Sequence, residues 1–204
     1  MEARQLDVAA RVRQARDGDR SAQELLARRV YEVGLRLAAF SLGDRDLAQD
    51  VGQEAAIRAL RSLGRLRDPA RFDAWAYRIC AGEIKRAARK RSRHSWQPYE
   101  EEAPQRVEEP PHPDLLAERD WLAPALARLT ERQRLVVGLR YVHDLTDREI
   151  ATVIRARRGT VRSLLSRALV RLREHAEELE RQGRDLEEES RTRRGPVCGA
   201  EVTQ

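Results

Sequence analysis

Between Phe72 and Arg93 the chain concentrates positive charge. Lys85-Arg86-Ala87-Ala88-Arg89-Lys90-Arg91-Ser92-Arg93 holds six cations in nine residues and no acid. At 3.6 residues per turn, Arg78, Lys85, Arg86, Arg89, Lys90 and Arg93 gather on one side of a helix, with Ile79, Ile84 and Ala87 turned elsewhere. Such a face neutralises phosphates and releases counterions, so its affinity falls steeply with salt. Trp75 and Tyr77 stand beside it, and an aromatic ring next to cations is what an unpaired base stacks on. Trp75 shares core spacing with Phe72 and Ile79, which points to burial; Tyr77 lies off that stripe and is the better candidate for a base. The plain alternative for the whole face is a solvated charged surface.

A second constellation begins at Thr146-Asp147-Arg148-Glu149, where Thr146 and Glu149 have the spacing of a capping box and Ile150 and Ile154 share one side of a short helix. After Arg155-Ala156-Arg157-Arg158-Gly159, the apolar positions Val161, Leu165, Ala168 and Leu172 recur at i, i+4, i+7 and i+11. The opposite side shows Arg162, Ser163, Ser166, Arg167 and Arg171. Two helices about a tight turn, the second polar and rich in arginine, have the form of a helix-turn-helix reader of the major groove. Arginine can take guanine O6 and N7 together, and serine serves several bases. A helical hairpin with a charged exterior is the simpler reading.

These faces need helices to carry them. Asp19-Arg20-Ser21 precedes Leu25, Leu26, Val30, Val33 and Leu37, spaced as one stripe, and Gly43-Asp44 breaks it. Leu47, Val51, Ala55 and Ala59 form the next apolar stripe, with Asp46, Asp50, Gln53 and Glu54 on a polar one beside it. Gly64 and Asp68-Pro69 end that helix and open a short loop containing arginine. A scaffold helix over 126–141 turns Leu135, Leu139 and Val142 inward beneath the second constellation. Strand-like alternation is essentially absent, so the expected fold is all-α.

Charge divides the same way. Of the 40 basic residues 38 are arginine; residues 1–95 carry net +8, 96–123 net −6, 124–175 net +7 and 176–204 net −3. Two basic blocks on one chain suggest a polyanion touched twice. Five of the eight prolines fall within 16 residues, from Pro98 to Pro113, among Glu100, Glu101, Glu102, Glu108 and Glu109. That composition predicts a flexible acidic linker at 96–121 between helical domains at 1–95 and 122–175, with 176–204 fraying into a disordered tail. The longest apolar run, 121–127, is far below the roughly 20 residues that cross a bilayer. Neither membrane insertion nor a secretory leader is expected. Cys80 and Cys198 suggest neither a disulfide framework nor a metal; Cys80 is expected in the core and Cys198 idle in the tail.

The order of motifs is similar to a known family. Asp46-Leu47-Ala48-Gln49-Asp50-Val51-Gly52-Gln53-Glu54, then Ala59-Leu60, then Phe72-Asp73-Ala74-Trp75-Ala76-Tyr77-Arg78-Ile79 resembles region 2 of bacterial sigma factors. Leu129-Thr130-Glu131-Arg132-Gln133-Arg134, continuing through Gly159-Thr160-Val161-Arg162-Ser163 to Arg173, resembles region 4. Two modules and a short linker resemble the extracytoplasmic-function (ECF) class of the sigma-70 family. The resemblance implies a cytoplasmic protein that directs RNA polymerase core to promoters. Asp46, Asp50, Gln53 and Glu54 would dock on the clamp helices of the largest subunit, and region 4 would meet the flap of the second. Arg71, Tyr77, Arg78, Lys85, Arg86, Arg89 and Lys90 would face the −10 element. Arg157, Arg158, Thr160, Arg162, Ser163, Ser166, Arg167 and Arg171 would face the −35 element. An anti-sigma factor is a further possible partner by the same analogy.

Several positions depart from the family. Ile154-Arg155 stands where relatives commonly have Leu-Gly, and arginine at a left-handed turn is unfavourable, so another turn geometry is expected. Leu164 replaces a basic residue of many relatives, Gly82 an asparagine, and Arg86 an often acidic residue. A stand-alone regulator would need a symmetric dimer on half-sites about 34 Å apart, and no dimer stripe is evident. An enzyme has little support: there is no glycine-rich phosphate loop, and His94, His112, His143 and His175 are scattered without ligand spacing. No catalytic residue, metal or cofactor is expected.

Overall fold

The computed structural model describes residues 2–94 and 122–193, with side chains from 7 to 91 and from 124 to 184. The proposed linker 96–121 and residues 194–204, with Cys198, lie outside the described residues. Among the described residues every regular element is helical.

Local chemistry sets the boundaries. α1 (Glu2–Arg16) turns at Gly18, φ 97°, into α2 (Arg20–Leu42), whose first N–H groups, of Ser21 and Ala22, donate to the Asp19 carboxylate. Gly43 at φ 65° closes α2, and Asp44, accepting from the Leu47 N–H, opens α3 (Arg45–Ser62). Two 3-10 turns, Leu63–Arg65 and Pro69–Arg71, lead into α4 (Phe72–His94). α5 (Leu122–Ala127) is followed by α6 (Glu131–Val137), which relaxes into a π turn at Gly138–Val142. α7 (Asp147–Ile154) and α8 (Arg158–Arg193) complete the described residues.

The first four helices bury Val12, Leu26, Val30, Leu37, Val51, Ala55, Phe72, Cys80 and Ile84. α2 and α3 cross closely, because a Cβ on Gly34 would lie 3.1 Å from the Gly52 Cα. The later helices bury Leu129, Leu135, Leu139, Ile150, Val161 and Ala168. These two sets form one continuous core: α6 and the π turn rest on α2, and α7 rests on α4. Gly138 marks the closest approach, since a Cβ there would stand 3.0 Å from Phe40 Cδ1 and 3.2 Å from Leu37 Cδ1. Arg134 seals the seam. It is buried, donating from Nε to the Ser41 carbonyl at 2.7 Å and from Nη1 to the Leu126 carbonyl at 3.1 Å, near the C-terminal ends of α2 and α5. Burial lowers its pKa to about 10, so it stays charged at neutral pH.

Two expectations are corrected. The scaffold helix over 126–141 is broken at 128–130, where Thr130 and Gln133 form a capping box that starts a new helix. α8 is helical as far as residue 193. The inward stripe of α4 is Phe72, Ala76, Cys80 and Ile84, while Trp75 and Ile79 are only half-buried at its edge. α1 adds a helix to those expected: Val8, Val12 and Ala15 are spaced at i, i+4 and i+7 and all are buried.

Candidate nucleic-acid interface

Burying Phe72, Ala76, Cys80 and Ile84 turns Arg78, Gly82, Arg86 and Arg89 outward along α4. Gly82 opens onto free space, so the helix backbone is bare between Arg78 and the later cations. The cations of this helix are not equivalent. Arg86 Nη1 lies 2.9 Å from the carboxylate of Glu83, which is buried and also paired with Arg58 at 2.7 Å. Arg86 thus spends part of its charge inside the protein. Arg71 is exposed and paired with Asp68 at 3.2 Å; Arg89 and Lys90 are exposed.

Two members of the −10 set lie at the seam instead. The Tyr77 hydroxyl is 3.2 Å from His143 Nδ1, with the rings edge to face. Lys85 Nζ donates to the Ile154 carbonyl, the last residue of α7, at 3.3 Å. Burial and the neighbouring Arg132, Arg89 and Arg155 hold the Lys85 pKa below its ordinary value. Burial, aided by Arg36, lowers His143 to about 4, so it is neutral at physiological pH.

On the other unit, the Thr146 hydroxyl accepts from the Glu149 N–H, and the Glu149 carboxylate accepts from the Thr146 N–H at 2.8 Å and from its hydroxyl at 2.6 Å. α7 ends at Arg155 with φ 53° and ψ 52°. The expected alternative to a left-handed turn is therefore not used: arginine adopts the conformation that glycine takes at lower cost. Leu164 is buried, which accounts for its being apolar. Arg157, Arg158, Arg162, Ser163, Ser166 and Arg167 are exposed around the start of α8, and Thr160 is half-buried. Arg162 Nε is 3.4 Å from the Asp147 carboxylate, and Arg167 donates to the Ser163 carbonyl at 3.3 Å. Arg171 stands apart from this group, donating to Gln133 Oε1 at 3.1 Å and so bracing the start of α6. Asp46, Asp50, Gln53 and Glu54 are all exposed on one side of α3, opposite Val51, Ala55 and Ala59. Arg65 and Arg67 are exposed in the loop before α4, the loop that the resemblance places at the −10 element.

The family model for sigma-70 region 2 matches residues 24–94, and that for sigma-70, region 4 matches residues 125–174. The ECF RNA polymerase sigma factor ShbA of Streptomyces griseus is 31% identical over 183 residues, covering 84% of this chain and 96% of its own. The chain belongs to the ECF class of the sigma-70 family. It is a sigma factor that directs RNA polymerase to promoters in transcription initiation, and a stand-alone regulator is not favoured. This sigma factor is also 30% identical over 183 residues to RNA polymerase sigma-H factor of Pseudomonas aeruginosa, covering 77% of this chain and 87% of that one. Its fold matches that of CnrH in complex with the cytosolic domain of CnrY, at a TM-score of 0.58, 23% identity and coverage of 83% and 97%. RpoE in complex with the anti-sigma factor NepR from Bartonella quintana matches with a TM-score of 0.57 at 26% identity, covering 76% and 95%. No helix among the described residues is long and apolar enough to cross a membrane.

Proposed function

We propose that α4 and the loop before it engage the −10 element through Arg71, Tyr77, Arg78, Lys85, Arg86, Arg89 and Lys90. The start of α8 reads the −35 element through Arg157, Arg158, Thr160, Arg162, Ser163, Ser166 and Arg167. Supporting this is the arginine face of α8, exposed and set on a capped helix pair whose other face is core. Guanidinium groups in the major groove can take two acceptors of one guanine, while the cations of α4 neutralise phosphates. Arg171 contributes by steadying α8 against α6. The acidic stripe Asp46, Asp50, Gln53 and Glu54 suits the basic groups of a polymerase surface, the clamp helices of the largest subunit, with region 4 on the flap of the second.

The domains are taken as 1–95 and 122–175 about the linker. In this reading the protein carries no catalytic residue of its own and works in the cytoplasm beside the polymerase. An anti-sigma factor is its further partner in this reading, a pairing supported by the complex of RpoE with the anti-sigma factor NepR. Tyr77 and Lys85 touch His143 and Ile154, so their use on DNA requires the two units to part.

The test is initiation in vitro with core polymerase, followed by sequencing of transcript 5′ ends. Arg162→Ala and Arg167→Ala are each expected to weaken −35-dependent initiation by ~1–3 kcal/mol where a bidentate base contact is lost. An unchanged set of start sites in the double variant removes both from the reading surface.

A further inference from the structure

The loop that follows α3 is held by a residue from outside the region 2 match. α1 and its final residue Arg16 precede residue 24, where that match begins. The Arg16 guanidinium reaches the Leu63 carbonyl, from Nη2 at 3.1 Å and Nε at 3.3 Å, and also donates from Nη2 to the Leu66 carbonyl. Its own base is fixed. Gln23 Nε2 donates to the Ala15 carbonyl at 2.9 Å, and Val8, Val12 and Ala15 are buried. α1 also packs along the turn at Pro69–Arg71.

A cavity of about 390 Å³ opens between Ala15, Arg16, Gln23, Leu60, Leu63 and Gly64. Leu63 and Leu66 are buried, whereas Arg65, Arg67 and Arg71 point outward between and after them. A planar fork that spans two carbonyls three residues apart sets the distance between them, and so the directions in which the intervening side chains leave the backbone.

We propose that Arg16 is a positioning residue for promoter recognition: by clamping the Leu63 and Leu66 carbonyls it aims the loop arginines at the −10 element without touching DNA itself. This rests on the −10 reading of the loop given above. Ordering the loop before binding spares that entropy at the moment of recognition, so the gain falls on discrimination at −10 and not on polymerase affinity.

The test uses the full chain with core polymerase and two promoters that differ only in the −10 element. Arg16→Ala is expected to cut the ratio of initiation from the intact over the altered promoter by about tenfold, the size of one lost charge-assisted hydrogen bond. Core binding and −35 dependence stay at wild-type levels. In hydrogen exchange the Leu66 N–H, which donates to the Leu63 carbonyl at 3.2 Å, loses protection while α2 and α3 keep theirs. Arg16→Lys, a point donor, gives an intermediate ratio.

A triple variant, Arg65→Ala with Arg67→Ala and Arg71→Ala, separates the two ideas. If it loses −10 discrimination while Arg16→Ala keeps it, the role of Arg16 is overturned and the loop reading stands. If the triple variant also keeps discrimination, the loop reading falls and the role of Arg16 with it. An equal loss on both promoters that follows a lowered melting temperature makes Arg16 a plain stabilising contact and overturns the proposal.

Discussion

Arg155 shows how one residue can depart from a family pattern while the backbone does not. At φ 53° its Cβ crowds the following carbonyl, a cost of roughly 1–2 kcal/mol for a residue other than glycine. The turn keeps this geometry because Ile150, Val153 and Ile154 on one side and Val161 on the other are already buried and fix where the two helices point. Arg155→Gly should therefore raise stability by about 1 kcal/mol, less the entropy that glycine adds to the unfolded chain. Urea melts would register it, and an unchanged or lower midpoint would show that the arginine side chain contributes something the turn alone does not. Glu83 makes a related point. In the sequence it is one acid on a basic helix, and only the arrival of Arg58 from α3 and Arg86 from its own helix makes its burial tolerable.

At the scale of elements, the boundaries follow from short-range chemistry. Two capping boxes, Thr130 with Gln133 and Thr146 with Glu149, start α6 and α7. The second was legible as a pattern; the first was overridden by an apolar periodicity that runs on through it. Thr146→Ala should destabilise the protein by about 1 kcal/mol. Hydrogen bonds from Thr146 hold the Glu149 carboxyl below its ordinary 4.5, so the folded state resists protonation more than the unfolded one does. The contribution is present above that value and is lost as pH falls through the lowered one. Thermal melts of wild type and Thr146→Ala should accordingly draw closer in acid without meeting, because the Glu149 N–H bond to the Thr146 hydroxyl is lost at every pH; a gap that does not narrow would mean that the cap does not depend on the charged carboxylate.

Across the whole molecule, the feature with most consequence is the contact between the two units. Gly138 permits it, because any larger residue meets Phe40 and Leu37. Its backbone is helical, with φ −59°, so valine fits the chain but not the seam. Gly138→Val is expected to part the units with helix content retained, read as a larger radius of gyration in small-angle scattering. An unchanged radius would show that the seam repacks around the added methyls. Protons bear on the same seam. His143 is held neutral, with its pKa lowered to about 4 from 6.5, by burial and the Arg36 guanidinium, against the pull of Asp144, and it faces the Tyr77 hydroxyl. The unfolded chain binds the proton first. Stability should therefore be full above about pH 6.5 and fall towards pH 4, by at most about 1.4 kcal/mol per pH unit from this group. Gly138→Val, which wets the histidine, should flatten that slope, as denaturant melts across the range would show.

The sequence by itself determined most of the helices, the starts at Asp19 and Thr146, the break at Gly43-Asp44, and the outward sides of α3 and α8, because capping and a 3.6-residue period act over a few neighbours. The same periodicity erred on α4, where Trp75 and Ile79 were read as core. There Ala76 and Cys80 are small enough to admit α2 and α3 closely, and size complementarity between distant segments is invisible to a local pattern. Only the tertiary structure decided that Tyr77 and Lys85 turn towards the second unit and that Arg16 braces a loop some fifty residues away. It also decided that Arg134 lies buried between helix ends. Each of these is a polar group satisfied by a carbonyl or side chain far along the chain, and such a partner exists only once the apolar faces have been brought together.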